Sequence, residues 1–240
     1  MAIIELDSID STNNYAMQLI DADKARHGLT ITARTQTHGK GQRGKSWAGT
    51  PGESLLMSMI IIPEALISGQ AAFNAAIAVA VADVLKQLYS KWRVYIKWPN
   101  DIIINDKKAG GILIENVLRG NKWAYSVIGL GLNILQRDFP AELPNATSLA
   151  LSSGMEFDLP ELILLVRERI LKNISALLLP EAIKKYNQYL YKRNEKQAFS
   201  NAYEQWEVTI IDADSQGVLN VQLEDGTQTG YYHGQAMWEW

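Results

Sequence analysis

The chain opens on Ile3–Ile9, which reads as a short strand, with apolar and polar positions alternating over Ile4-Glu5-Leu6-Asp7. Ser11-Thr12-Asn13-Asn14 follows, residue types that favour helix N-caps, ahead of Tyr15, Ala16, Leu19 and Ile20 at helical spacing. A helix is therefore expected from near Thr12 to before His27-Gly28. Leu29–Thr35 alternates again and predicts a second strand. Residues 36–52 lose all periodicity and hold five glycines and a proline, the mark of a long loop. Loops beyond about 12–15 residues in compact domains are usually functional or disordered. Ser54–Ile62 predicts a buried strand. Residues 71–88 carry apolar positions at Phe73, Ile77, Val81, Val84 and Leu88, which predicts a core-packed helix. Strands are expected at Arg93–Lys97, Ile102–Ile104, Gly111–Val117 and Trp123–Ile134, with a tight turn at Asn105-Asp106. Residues 158–178 and 180–192 predict two helices. After Arg193 the pattern changes to short strands around turns at Ser215-Gln216-Gly217 and Glu224-Asp225-Gly226. The expected organisation is a mixed α and β body, residues 1–192, and a small β-barrel-like tail, residues 193–240.

Charge divides the chain at the same place. Residues 195–240 carry Lys196 against eight acidic groups, a net of −7, and the first 194 residues carry a net of +4. Phosphate contacts need clustered Lys and Arg, so no nucleic-acid partner is expected for the tail. The basic body suits a small anion. No apolar run is expected to approach the roughly 18 residues of a membrane span, the longest being read around Leu55–Pro63. The N-terminus has neither the basic start nor the cleavage site of a signal peptide. The expectation is a cytoplasmic protein with no membrane partner. The absence of cysteine removes disulfides, thiolate zinc sites and cysteine nucleophiles. Three scattered histidines, His27, His38 and His233, make no His-rich metal site.

Residues 39–46, GKGQRGKS, satisfy the P-loop pattern G-x-x-x-x-G-K-[ST]. A P-loop runs directly into a helix whose amides face the phosphates. Here Gly49, Pro51 and Gly52 follow within six residues, and none suits a helix interior. The loop can hold an anion otherwise: its glycines let backbone amides approach, and Lys40, Arg43 and Lys45 add positive charge. The competing reading is a solvated basic loop. Glycine density, length and Trp47, placed to pin the loop or cover a ligand, weigh against it. Fixing so much glycine costs entropy, so ordering by a ligand is expected.

Lys97-Trp98-Pro99-Asn100-Asp101 ends one strand, and Asp106-Lys107-Lys108-Ala109-Gly110-Gly111-Ile112 opens another. Asp101 taken alone reads as a turn former, Lys108 as a solvated lysine, and the glycines as relief of crowding. Together they place a carboxylate and an ammonium on one hairpin beside glycines that let a ligand touch backbone. Ser11-Thr12-Asn13, the glycine loop, these two segments and Gly129-Leu130-Gly131-Leu132-Asn133, in that order, resemble the biotin protein ligases.

The resemblance implies an α+β catalytic domain, a mixed sheet with helices on one face, followed by a small C-terminal SH3-like barrel. It implies two steps: biotin reacts with ATP and Mg²⁺ to give biotinyl-5'-AMP, and a lysine of a biotin carboxyl carrier domain, of the acetyl-CoA carboxylase type, then takes the biotin. Lys108 would be the catalytic cation at the biotin carboxylate and α-phosphate, and Asp101 would orient or deprotonate the incoming amine. Ser11, Thr12, Asn13 and Gln36 would line the biotin pocket. Gly39, Lys40, Gly41, Gln42, Arg43 and Trp47 would fold over biotin and adenylate beside Gly111 and Gly131. Arg43, Lys45, Trp47, Asn100, Asp101 and Asn133 would surround the nucleotide. The family loop commonly carries arginine where Lys40 and Gln42 stand, which weakens the hold on adenylate or shifts it to Arg43 and Lys45. Many bacterial relatives carry an N-terminal helix-turn-helix, and a form without that repressor function is expected. Many relatives also pair through a sheet edge, so a homodimer is within the reading. An adenylating lipoate–protein ligase and a non-catalytic biotin sensor are the alternatives. Transfer through a cysteine is excluded by composition.

Overall fold

The structure is a computed structural model that describes residues 2–47, 49–63, 69–176 and 179–240. Ala48 of the glycine loop, and Leu177 and Leu178 of the expected helix, lie outside the described residues. Seven strands form one mixed sheet: β1 (Ile3–Ile9), β2 (Leu29–Gln36), β3 (Ser54–Ile61), β4 (Val94–Lys97), β5 (Asp101–Ile104), β6 (Lys107–Arg119) and β7 (Lys122–Asn133). Their order is β1-β2-β3-β7-β6-β5-β4. Among the described strands, β1 and β2 form the one parallel pair, joined through the first helix, as a parallel crossover requires.

The helices are α1 (Thr12–Asp21), α2 (Gln70–Leu88), α3 (Leu149–Ser153), α4 (Leu159–Ala176) and α5 (Leu179–Tyr189). All eight residues of β3 are buried, as expected of a central strand covered on both sides. Met57, Met59 and Ile61 of β3, with Ile128 and Leu130 of β7, join the large core built on α2. The alternate residues Ile60 and Val127 pack against Ala16 and Ile20 of α1. The main helical layer thus lies on one face, and the short α1 covers part of the other, which carries the site. Period 2 in the strands makes this division, each side chain following its parity.

Helix α2 corrects one expectation. Its 19 residues, with a mean hydropathy of 1.4, are long and apolar enough to match a membrane span by length and composition. The alanines between its Val and Ile positions raise that average although Asn74 and Asp83 interrupt the run. The helix spends this apolar surface inside the protein, with 67% of the span buried. The five-residue α3 was not anticipated, being too short to display a period. Its start is capped by Ser148 Oγ, which accepts from the Leu151 amide, and it ends at left-handed Gly154.

The tail forms a five-stranded antiparallel sheet of β8 (Lys196–Ser200), β9 (Gln205–Ala213), β10 (Leu219–Leu223), β11 (Gln228–Tyr231) and β12 (Met237–Trp238), in the order β11-β10-β9-β8-β12. Phe199 stacks on Tyr231 and Trp238 inside it. It docks on the body through reciprocal 2.8 Å hydrogen bonds between Asn187 and Ala213, and through Trp98 Nε1 donating to the Gly217 carbonyl at 3.1 Å.

Candidate active site

Sheet register assembles the site. Lys97 opposes Asp101, Asp101 opposes Gly111, and Gly111 opposes Gly131, so the four lie in one row across β4, β5, β6 and β7 on the α1 face. Residues opposed in register share a face. The β5–β6 register shifts between Ile102 and Ile103, which leaves Ala109 as an extra residue in β6. Lys108 and Gly111 are three apart and would face opposite ways in a regular strand. The bulge turns Lys108 to the side of Asp101. Its Nζ lies 2.7 Å from Asp101 Oδ1. The hairpin closes at Asn105 and Asp106, both left-handed, where the turn was expected.

The glycines of β7 clear space above the sheet. A Cβ on Gly131 would stand 2.5 Å from the Trp47 ring, and one on Gly129 would overlap the Asn13 amide. Side chains from the loop and from α1 therefore sit directly on β7 backbone. The loop is folded: Lys40 bridges Ser46, the Trp47 amide donates to the Gly39 carbonyl at 2.8 Å, and a single 3-10 turn spans Gln42–Gly44. The next element is strand β3, so the P-loop match lacks its helix, as expected.

At the far end, α1 begins without using Ser11 as a side-chain cap. The Thr12 amide and hydroxyl donate instead to Gln36 Oε1, at 2.8 and 3.0 Å. Gln36 thus takes the role sequence pattern gave to Ser11, and the buried Ser11 lines the cavity. Ser58 Oγ reaches Thr12 Oγ1 at 2.7 Å and Asn13 Oδ1 at 2.5 Å from below.

A cavity of about 870 Å³ joins these parts. Ser11, Thr12, Asn13, Gln36, Lys40, Gly41, Gln42, Arg43, Lys45, Trp47, Asn100, Asp101, Lys108 and Gly111 all line it. Gly131 and Gly39 lie behind Trp47 and act through it. Asn133 is a correction: it does not line the cavity, but is buried at the end of β7 and donates to the Thr147 carbonyl at 3.0 Å. Asn100 lines the cavity, but its amide is spent on the Ile112 carbonyl, tying β5 to β6. Sequence reading named no site residue in the tail, yet Tyr203, His233, Met237 and Trp240 reach the same space. Nothing in their spacing signalled it. The imidazole of His233 meets Trp98 edge-on, and burial, with Arg43 adding to it, holds its pKa below the ordinary histidine value.

Lys97 has surroundings that its motif does not signal. Its ammonium is buried, donates to the carbonyls of Trp238 and Glu239 at 3.0 and 3.2 Å, and lies 4.0 Å from the Trp240 ring centroid. Burial, only partly offset by Asp101, lowers its pKa to about 8 from 10.5. Between those values the unfolded chain holds a proton that the folded chain has released, so stability rises with pH across this window. Wild type is expected to gain roughly 2–3 kcal/mol on Lys97→Met between pH 8 and 10, at about 1.4 kcal/mol per pKa unit. Urea melts of both proteins check this, and a gap that stays constant would show an unshifted lysine.

The model of the biotin/lipoate A/B protein ligase family matches residues 5–133. The chain belongs to this family. That match contains the whole row from Lys97 to Gly131, the glycine loop and the start of α1. Among relatives of this ligase family, the bifunctional ligase/repressor BirA of Bacillus spizizenii is 35% identical over 159 residues, covering 65% of this chain and 48% of that one. The biotin–[acetyl-CoA-carboxylase] ligase of Paracoccus denitrificans is 34% identical over 141 residues, covering 58% and 57%. The chain spans about half the length of the curated BirA relatives it matches. Its fold is that of the biotin protein ligase from Aquifex aeolicus solved with biotin and ATP, at a TM-score of 0.81, 22% identity and 99% and 98% coverage of the two chains. The 99% coverage of this chain takes in the tail sheet.

Proposed function

We propose that this chain is an ATP-dependent biotin–[biotin carboxyl-carrier protein] ligase. The observation that carries the reading is the placement of Lys108 against Asp101 at one end of a cavity whose other end is the Ser11–Thr12–Gln36 cluster. Named relatives that are biotin ligases support it. The polar end suits the ureido ring of biotin, which can pair with Ser11 and the amide of Gln36. The dithiolane of lipoate would leave those groups unpaired, a cost that makes polar pockets selective.

In the first step a biotin carboxylate oxygen attacks the α-phosphorus of ATP, and pyrophosphate leaves with its electron pair. Mg²⁺ arrives with the nucleotide as part of the substrate. Charge builds on the α-phosphoryl oxygens, and in this reading Lys108, Arg43 and Lys45 of the cavity wall meet it. In the second step the acceptor lysine amine attacks the carbonyl of the mixed anhydride, AMP leaves, and the amine proton passes to Asp101 or solvent. Asp101 has two tasks in this reading, holding Lys108 in line and meeting the amine. We assign Asn100 to positioning, since its amide is already committed to backbone. We place the division between catalytic and tail domains at residue 193, the acceptor on a biotin carboxyl carrier domain, and the protein in the cytoplasm.

ATP–pyrophosphate exchange tests the reading. Exchange is expected with biotin and to be at least about tenfold lower with lipoate, the smaller end of what an unpaired polar site costs. Exchange with lipoate instead would move the protein to the adenylating lipoate ligases. Tight biotin binding without exchange would make it a sensor.

A further inference from the structure

Glu115 has no role in the mechanism above, yet it joins two walls of the cavity. It lies on β6, opposite Val127 of β7, on the α1 face. Its Oε2 accepts from Asn13 Nδ2 at 2.7 Å, and its Oε1 lies 3.7 Å from Lys40 Nζ. Asn13 is buried, and its amide is set from both ends, by Ser58 on the oxygen and Glu115 on the nitrogen. Lys40 opens the small hairpin of the glycine loop, at its bridge to Ser46. One carboxylate therefore ties the floor of the polar pocket to the segment that covers it.

We infer that Glu115 is a positioning residue that fastens the glycine-rich hairpin over the ring pocket, one oxygen orienting Asn13 and the other latching Lys40. The inference rests on the ligase reading only for the identity of what is enclosed. Trp47 on Gly131 is the second fastening point, so the hairpin is held at both ends of its base. The Lys40–Glu115 pair is half-exposed, which limits such pairs to a few-fold effect and makes them sensitive to salt. The Asn13 contact is buried and worth more.

Glutamine at 115 separates the two tasks, because its carbonyl oxygen still accepts from Asn13 while the charge that Lys40 meets is gone. Hydrogen exchange of the Gly41 and Trp47 amides, both bonded within the hairpin, is followed in ligand-free protein. Glu115→Gln and Lys40→Met are each expected to speed it about 2–5-fold. The double variant should add nothing further, and 1 M salt should bring wild type to the rate of Glu115→Gln. Biotin dissociation is expected to quicken in the same order, and Glu115→Ala by about tenfold, since Asn13 then loses its acceptor. Unchanged exchange in Glu115→Gln, or effects that simply add in the double variant, would overturn the latch. A loop that responds as described in a protein that takes no biotin would keep the latch and overturn the proposed ligase function.

Discussion

Lys108→Ala is expected to lower the rate of adenylation by about 10²–10³, while biotin binding weakens far less. The bulge at Ala109 directs Lys108 to the Asp101 side of the sheet, and the 2.7 Å contact fixes where its charge stands before substrate arrives. A cation held in place where charge develops contributes mainly in the transition state, so its removal shows in kcat more than in ground-state affinity. Single-turnover adenylation and biotin calorimetry measure the two effects separately. Equal losses in both would make Lys108 a binding residue. Lys108→Arg adds a control, because the guanidinium keeps the charge but not the point geometry. It is expected to recover only part of the rate. Full recovery would mean that charge alone, and not the position of the ammonium, serves the step.

The parts of this site that were legible in the sequence are those carried by short-range pattern. Alternation located β2, an apolar run located the buried β3, helical spacing located α1 and α2, and Asn105-Asp106 marked the turn that folds Asp101 back towards Lys108. The contact itself was not legible. It depends on one extra residue in β6, and Ala109-Gly110-Gly111 reads equally well as regular strand. Ser11 shows a different limit. Its residue type and place mark it as an N-cap, but Gln36, distant in sequence, supplies the hydrogen bond at the start of α1. Local propensity cannot see a competitor from another strand. Lys97 was hidden for the same reason, since its partners are the Trp238 and Glu239 carbonyls at the other end of the chain. The Glu115–Lys40 pair spans two segments read separately as strand and loop.

Charge was legible in sum but not in place. The basic body and acidic tail emerged from counting, and the cations around the cavity, Lys40, Arg43, Lys45, Lys97 and Lys108, all come from the body. The tail adds a rim of aromatic and uncharged side chains with His233. Arg43 shows how closely the two sections meet, because a Cβ on Gly234 of the tail would overlap its guanidinium. An acidic section can thus border a cationic cavity when none of its carboxylates lines the wall, although Glu239 lies close enough to act on Lys97. Elsewhere in the tail, Lys196 pairs with Glu207 and Glu224.

The second large effect is expected at Gly131. Its neighbour is the Trp47 indole, a rigid ring that lies 2.5–2.8 Å from where a Cβ would stand, so Gly131→Ala has to displace the ring or the strand. The gain of one methyl in a packed site of this kind costs about 1–3 kcal/mol. Because Trp47 closes the loop, the main consequence falls on retention of the adenylate, with dissociation of biotinyl-AMP expected to quicken by about tenfold or more, the size of a lost 1.4 kcal/mol contact. Gly111→Ala is the matching comparison on the adjacent strand. Its Cβ would meet Asp101, Trp47 and Lys108 at 3.5–3.9 Å, ordinary van der Waals contact, so no comparable loss of stability is expected. Urea melts of the two variants, with Trp47 emission taken as the part of the seven-tryptophan signal that Trp47→Phe removes, separate a specific seat for the indole from general intolerance of bulk on this face. Equal destabilisation by both, with Trp47 emission unchanged, would mean that the glycines serve the sheet and not the tryptophan. A large loss at Gly131 alone, with emission shifted to that of a solvated indole, identifies β7 backbone as the surface on which the loop closes.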